Sequence, residues 1–318
     1  MKKWVVSTIA VVSVLVVGVA GYGLYIYNSV KATANEIYEK REPSVVPVTV
    51  SSDGKTGGQA DTSKSAENPP AVHLNEREPF TVLVMGVDQR EDDPGRSDSM
   101  ILLTVNPAKQ SILMFNIPRD TRTEIVGHGT TDKINHAYAF GGVNMSVATV
   151  EHFLGYPVNY YIKVNMEGFA KIIDLLGGVE VNNPFAFQYE GYDFKQGDLK
   201  LDGSEALAFS RMRYDDPRGD LGRNARQREI LEQVINNALK ISNVVKIESL
   251  LNQVGDSVRT DITFDNMKTF VTDYRSDLKT IEQVEIKGQG KKINGIWYYM
   301  VSDEERQRIH NVIKEHLQ

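Results

Sequence analysis

The chain has 318 residues, a formal net charge of -6 and 41% apolar residues, which is ordinary for a globular protein with one large or two small domains. The acidic balance argues against bulk nucleic-acid binding, which usually needs a basic face. The absence of cysteine excludes disulfide bonds and thiolate metal sites.

The N-terminal residues predict a membrane anchor. Lys2 and Lys3 precede Trp4–Tyr27, a run without charged side chains that is long enough to cross about 30 Å of hydrocarbon. The lysines place the N-terminus in the cytoplasm. A cleaved signal peptide is the competing interpretation, although the apolar run continues beyond the fair cleavage site at Gly18-Val19-Ala20. We expect a cytoplasmic stub at 1–3, a single transmembrane anchor at 4–27 and an extracytoplasmic remainder at the cell membrane.

Residues 28–79 are predicted to be a tether. Residues 28–40 are expected to continue the helix out of the membrane. From about Arg41 to Pro79, Gly, Ser, Thr, Asp and Pro dominate, and such a composition predicts a flexible segment.

Residues 80–318 show strands interleaved with helices, and no internal repeat. Strands are predicted at Phe80–Val87, Met100–Val105, Ile112–Ile117, Val158–Val164, Gln283–Ile286 and Ile296–Tyr299. Helices are predicted at His136–Leu154, Glu167–Leu176, Gly203–Met212, Asn224–Leu239, Ile247–Val254, Asp265–Leu278 and Asp303–Leu317. This order predicts an α/β fold, a single α/β/α sandwich around a mixed central sheet.

The first segment with candidate functional residues is MGVDQREDDPGRSDSM, from Met85 to Met100. Asp88 follows a buried strand, and Asp98 opens the next one. If the loop between them folds back, both carboxylates converge, as two ligands of Mg²⁺ would. Arg90 and Arg96 lie in the same loop.

Two further segments carry charge at strand or helix ends. In NIPRDTRTEI, Arg119, Asp120 and Arg122 follow a buried strand, where ligands of α/β folds tend to bind; a surface ion pair is the alternative. In TDKINHAYAFGG, Lys133 precedes the start of a helix, a position that suits a bound anion. His136 is a candidate base or phosphate ligand, although a lone histidine is more often structural.

The fourth segment, SRMRYDDPRGDLGRNARQR, holds six arginines and no lysine. Arginine is preferred where a planar fork grips oxyanions, so the segment predicts a bound phosphate or pyrophosphate. Arg211 and Arg213 alternate and are expected to point the same way from an extended stretch. Arg223 and Gln227 lie on neighbouring helical turns, whereas Arg218 and Arg228 are interpreted as surface residues.

These four segments, in this order and behind an anchor, resemble the LytR-CpsA-Psr family of cell-envelope phosphotransferases. The matching residues are GVDQR with GRSD, IPRDT, DKINHAYAFGG and SRMRYDDPRGDLGRNARQ, and the resemblance is strong from about Phe80 to Leu239. It implies an enzyme that moves an anionic glycopolymer, such as wall teichoic acid, from an undecaprenyl-pyrophosphate carrier to a peptidoglycan sugar hydroxyl.

The resemblance also implies residue roles. Asp88 and Asp98 would hold Mg²⁺ or Mn²⁺, and would be catalytic together with Arg119, Arg211 and Arg213. The pyrophosphate would be bound by Arg119, Arg211, Arg213, Arg223 and Gln227, with Arg90, Arg96, Arg122 and Lys133 as weaker candidates. Asp120, His136 and Asp220 are unranked candidates for the general base.

Two alternatives remain open from the sequence. The same arginines and metal would serve a polyprenyl-pyrophosphate phosphatase with water as the acceptor. A non-enzymatic protein that binds envelope polymers, or regulates their attachment, is the other. Nucleic acid is disfavoured as a partner by the external topology and by the net charge of -6.

Overall fold

The computed structural model describes residues 24–42, 72–88, 95–240 and 253–318. Most of the predicted anchor, and all of the tether from 43 to 71, lie outside the described residues. Within the described ranges, no helix combines the length and the apolar character that crossing a membrane requires. The predicted helix Ile247–Val254 also lies mostly outside them.

Fourteen strands are seen in the described part of the chain. They are β1 (Phe80–Val87), β2 (Ser97–Asn106), β3 (Ser111–Asn116), β4 (Arg122–Ile125), β5 (Thr130–Lys133), β6 (Tyr160–Asn165), β7 (Val179–Asn183), β8 (Phe187–Tyr189), β9 (Tyr192–Phe194), β10 (Gly197–Leu201), β11 (Val258–Thr260), β12 (Thr280–Glu285), β13 (Gln289–Ile293) and β14 (Ile296–Met300).

The described helices are α1 (24–37), α2 (His136–Leu154), α3 (Met166–Leu176), α4 (Gly203–Arg211), α5 (Asp220–Lys240), α6 (Phe264–Thr269) and α7 (Asp303–Leu317). A wider, π-type turn continues α6 over Phe270–Tyr274. Helix α2 is interrupted at Gly142, whose φ of 62° and ψ of -148° suit only glycine.

The central sheet has six strands in the order β11-β6-β1-β2-β3-β12. Strands β1, β2 and β3 form an antiparallel meander, and β6 and β12 pair in parallel with β1 and β3. Strand β11 adds an antiparallel edge beside β6. The predicted mixed α/β fold is confirmed by this topology.

Side chains of the sheet alternate between two cores. On one face Leu83, Met85 and Leu102 pack under α2 and α7. On the other face Val82, Ile101, Leu103 and Met114 pack towards α5 and the π-type turn. Because β1, β2 and β3 are buried on both faces, they show continuous apolar runs in the sequence.

Four two-stranded sheets were not predicted: β4–β5, β7–β10, β8–β9 and β13–β14. Their strands are short, and several alternate polar with apolar residues, so they lack the buried runs that identify the central strands. Strand β14 alone had been predicted, and its partner β13 is polar and mostly exposed.

The structure describes two parts of the predicted tether, residues 28–42 and 72–79. Residues 24–37 form a helix, in agreement with the predicted helical continuation, but Ile26, Ala34 and Ile37 are buried. Residues 72–79 also pack on the domain, since Leu74 is buried and the Tyr274 hydroxyl donates to the carbonyl of Glu78. In the segment predicted to be flexible, from Arg41 to Pro79, residues 72–79 therefore contact the domain, whereas 43–71 lie outside the described residues.

Candidate functional site

A cavity of about 790 Å³ lies between the central sheet and α5. Strand β2 supplies one wall, where Ser99, Ile101, Leu103 and Val105 share a face because side chains alternate along a strand. At the usual rise per residue, these positions span about 20 Å. The cavity is therefore an elongated channel along the strand direction.

Helix α5 supplies the opposite wall, and its character changes along the cavity. Arg223, Gln227, Leu231 and Ile235 recur every four residues, and all line the cavity. This spacing places them on one helix face. The first two are polar and the last two apolar, so the helix gives the cavity a polar end and an apolar end.

The two ends have distinct linings. The polar end is formed by Asp88, Asp98, Arg119, Arg211, Arg213, Arg223 and Gln227. The apolar end is formed by Phe80, Val105, Phe270, Val271, Tyr274 and Leu278. The cavity thus complements an elongated molecule with an anionic head and a hydrocarbon tail.

Asp88 and Asp98 lie at the same end of the sheet, as predicted from the loop between them. Antiparallel pairing of Val87 with Ser97 brings the end of β1 beside the start of β2. Oδ1 of Asp98 accepts hydrogen bonds from Nη1 of Arg119 at 3.0 Å and from Nδ2 of Asn135 at 3.1 Å. Asn135 had not been singled out from the sequence.

Arg119 and Arg223 approach one another around Asp220. Oδ1 of Asp220 lies 2.8 Å from Nη2 of Arg223 and 3.9 Å from Nε of Arg119. Burial lowers the pKa of Arg223; Asp220 opposes this effect, and repulsion from Arg119 and Arg213 adds to it. Burial also lowers the pKa of Arg119, but attraction to Asp98 and Asp220 outweighs it and raises that pKa. An anion among these guanidinium groups would relieve their repulsion.

Several buried polar atoms here make no hydrogen bond within the described part of the chain. They include Nε of Arg119, Nε and Nη2 of Arg223 and Oε1 of Gln227. Nη2 of Arg223 is close to Asp220, but the angle is poor for a hydrogen bond. Buried polar groups are normally satisfied, so this cluster indicates a site that binds a polar ligand.

Arg211 and Arg213 both reach the polar end, but the predicted extended stretch is wrong. Arg211 is the last residue of α4, so it has helical rather than extended backbone, and Met212 is the residue that ends the helix. Nη1 of Arg211 lies 3.4 Å from a carboxylate oxygen of Glu190. The guanidinium of Arg213 stacks 4.5 Å from the ring centre of Tyr214. The helix end and the turn after it, rather than strand alternation, bring the two arginines together.

Arg122, Lys133 and His136 form a second cluster, which does not line the described cavity. Nζ of Lys133 lies 2.7 Å from Oδ1 of Asp120, and Nδ1 of His136 lies 2.8 Å from Oδ2 of Asp132. Burial alone would raise the pKa of Asp132, but hydrogen bonds from His136 and from the backbone of Lys133 lower it overall. The hairpin β4–β5 pairs Arg122 with Lys133.

The remaining arginines of the fourth segment differ in role. Arg226 is buried and donates hydrogen bonds to the carbonyls of Phe209 and Met212. It also forms an ion pair with Asp216, a residue that had not been singled out from the sequence. The interpretation of Arg228 as a surface residue is wrong, because it is buried and its Nε donates to Oε1 of Gln283 at 3.0 Å. Arg218 is a surface residue, with 58% of its side chain exposed.

Two further predicted phosphate ligands, Arg90 and Arg96, are not confirmed by the described cavity lining. Arg90 lies outside the described residues. Arg96 is exposed, and the described cavity lining does not include it.

A model of the LytR_cpsA_psr family matches residues 27–315. A polyisoprenyl-teichoic acid–peptidoglycan teichoic acid transferase, TagU of Halalkalibacterium halodurans, is 45% identical over 320 residues, covering 100% of this chain and 99% of the relative. The crystal structure of Bacillus subtilis TagU is 46% identical, with a TM-score of 0.62 over 76% of this chain and 97% of that chain. YwtF (TagT), a LytR-CPS2A-psr family protein solved with bound octaprenyl pyrophosphate lipid, is 27% identical, with a TM-score of 0.61 over 76% of this chain and 91% of that chain.

Proposed function

We propose that this chain, which belongs to the LytR-CpsA-Psr family, transfers wall teichoic acid from an undecaprenyl-pyrophosphate carrier to a sugar hydroxyl of peptidoglycan. The acceptor oxygen forms a phosphodiester with the polymer-bearing phosphorus. The bond from that phosphorus to the bridging oxygen breaks, and prenyl monophosphate leaves. The observation that carries the proposal is a cavity with four arginines at one end and apolar walls at the other.

The arginines of the polar end are the proposed pyrophosphate ligands. Arg119, Arg213 and Arg223 line the polar end, where the pyrophosphate would bind. The amide of Gln227 lies one turn of α5 beyond Arg223. Phosphoryl transfer depends mainly on positioning and on neutralising charge in a water-poor site. The guanidinium groups are buried and already close together in the folded protein. They are therefore placed to stabilise the charge that develops on the phosphate oxygens.

Asp88 and Asp98 fit a divalent cation. Two carboxylates at one sheet end, completed by water and substrate phosphate oxygens, are a donor set that suits Mg²⁺ or Mn²⁺. Such an ion would neutralise charge on the pyrophosphate. Arg119 and Asn135 orient Asp98 through hydrogen bonds to its Oδ1.

Asp220 is the proposed general base among the three candidates. Its carboxylate contacts Arg119 and Arg223, which both line the polar end. Asp120 is instead paired with Lys133, and His136 with Asp132, and no ion pair joins either of them to Arg223 within the described residues. Asp220 is therefore best placed to accept the proton of the acceptor hydroxyl.

We further propose a single-pass protein of the cell membrane, with a cytoplasmic N-terminus and the catalytic domain outside. The support is the uncharged run Trp4–Tyr27 behind two lysines. In this arrangement the cavity meets the carrier lipid on the side where peptidoglycan lies.

The test incubates the full-length protein with lipid-linked teichoic acid precursor, with and without peptidoglycan glycan. Phosphodiester-linked product that requires the glycan supports the transferase. Release of lipid phosphate at full rate without glycan would establish a phosphatase, and binding without turnover would establish a polymer-binding protein. Asp98→Asn should abolish transfer, whereas the surface variant Arg218→Ala should retain it.

A further inference from the structure

Helix α1 is docked on the domain along one face. Ile26, Ala34 and Ile37 are buried at helical spacing. The ring of Tyr27 packs edge-on against Phe264, the first residue of α6, with centroids 5.4 Å apart. The N-terminal end of α1 is therefore held beside α6.

The residues after α1 are also bound to the domain, through hydrogen bonds and an ion pair. The amide of Glu39 donates at 2.8 Å to the carbonyl of Thr260, the last residue of the edge strand β11. Nε of Arg41 lies 2.5 Å from Oδ2 of Asp261, and its Nη2 donates to the carbonyls of Val158 and Asn159. Residues 24–42, named the arm below, thus follow the surface of the domain.

The sheet defines the direction in which the arm points. Strand β1 runs from Phe80 at the apolar end to Asp88 beside the polar end, and β6 runs parallel to it. Strand β11 is antiparallel to β6, so the residues after Thr260, including Phe264, lie towards the apolar end. A Cβ atom on Gly255, before β11, would lie 3.6 Å from Thr33. From Thr33 back to Tyr27, α1 therefore leads towards the apolar end.

Exposed apolar side chains collect at this end. Leu24 and Tyr25 are each 64% exposed, and Val271 of the cavity lining is 45% exposed. Val271 follows Phe264 by two helical turns, or about 10 Å. Leu24, Tyr25 and Tyr27 end the uncharged run that begins at Trp4, and tyrosine is favoured at the boundary between lipid and water.

We propose that the arm holds the apolar end of the cavity against the outer surface of the lipid bilayer, with the polar end facing away from it. Leu24, Tyr25 and Val271 are the contact surface, and the bilayer is its partner. A prenyl tail then passes from the bilayer directly into the apolar end, and its pyrophosphate reaches the arginines about 20 Å farther along β2. The role of the tail rests on the proposed transfer reaction, whereas the contact with lipid rests only on the proposed membrane anchor.

The chain contains no cysteine, so single cysteines can be introduced as reporters without background. The full-length protein, carrying Val271→Cys, Tyr214→Cys or Ile296→Cys and an environment-sensitive fluorophore, is reconstituted in phosphatidylglycerol vesicles with nitroxide lipids. Tyr214 is 85% exposed near the polar end, and Ile296 is 50% exposed on β14. We expect quenching at position 271 to exceed that at the other two several-fold. Equal quenching at all three positions, or stronger quenching at position 214, would overturn the proposal.

Arg41→Ala tests whether the arm sets this orientation, with exposed Lys40→Ala as the matched control. We expect Arg41→Ala to reduce quenching at position 271 to the level at position 296, and Lys40→Ala to leave it unchanged. Unchanged quenching in Arg41→Ala would show that the arm does not set the orientation. If Arg41→Ala lowers the melting temperature, Tyr27→Ser removes the contact with Phe264 instead. Because quenching needs no turnover, a failed transfer assay and a failed orientation test are separate results.

Discussion

Arg226 and Asp216 form an ion pair in the interior, with only 3% and 0% of their side chains exposed. Arg226 also binds two backbone carbonyls, so it joins α5 to the end of α4. Removing one partner of such a pair leaves a buried charge without compensation. We predict that Arg226→Ala lowers the free energy of unfolding by about 3–5 kcal/mol, measured by urea denaturation. A loss below about 1 kcal/mol would show that the pair is not structural.

Arg223, three residues earlier on the same helix, should behave in the opposite way. Its guanidinium is buried near Arg119 and Arg213 and leaves two nitrogens without hydrogen bonds. We predict that Arg223→Ala changes stability by less than about 1 kcal/mol and lowers the transfer rate by about 100-fold or more. Transfer assays and urea denaturation of the same preparation measure both effects. Comparable losses of stability in Arg223→Ala and Arg226→Ala would refute this division of roles.

Glu190 is predicted to tune substrate affinity. It lines the cavity and pairs with Arg211, placing a negative charge where the anionic head would bind. Glu190→Gln should therefore lower the KM for the lipid-linked donor several-fold, with a smaller effect on kcat. Steady-state kinetics on vesicle-bound donor measure this split. An increase in KM would mean that Glu190 instead positions Arg211 for binding.

The length of the apolar end can be tested through Ile235, which lines the cavity on α5. Ile235→Trp should obstruct a long prenyl tail while leaving the arginines in place. We expect activity on long-chain donors to fall, and activity on donors of two isoprene units to persist. Gln233→Trp, on the same helix but not part of the described lining, is the matched control. Equal loss on both donors would argue against a tail in this part of the cavity.

His316 is predicted to make stability depend on pH. Burial, with a smaller contribution from Lys109, lowers its pKa to about 4, while its ring nitrogens contact Thr104 and Ser111. The unfolded histidine takes up a proton at a higher pH than the folded one, so stability falls as the pH drops from about 6.5 to about 4. The wild type should lose up to about 1.4 kcal/mol per pH unit more than His316→Gln in this window. Urea denaturation across the window provides the measurement.

The central strands and the long helices could be predicted from the sequence because burial leaves a regular apolar pattern. The same pattern hides the cavity: Leu231 and Ile235 have the spacing of ordinary core residues, and only the neighbouring sheet shows that they line a channel. Arg223 and Arg226 are likewise indistinguishable by spacing. Their roles depend on Asp216, which lies in a loop without periodicity, and on Asp220. The separation of Lys133 and His136 from the cavity depends on the hairpin β4–β5, whose polar strands left no clear signal.

The central claim is that one cavity binds both the pyrophosphate and the prenyl tail. A crystal structure of the protein with a prenyl pyrophosphate tests it most directly. We predict both phosphates within hydrogen-bonding distance of Arg119, Arg213 and Arg223, and the hydrocarbon between Leu103 of β2 and Ile235 of α5. Phosphates bound instead at Lys133 and His136, with the channel between β2 and α5 empty, would contradict it.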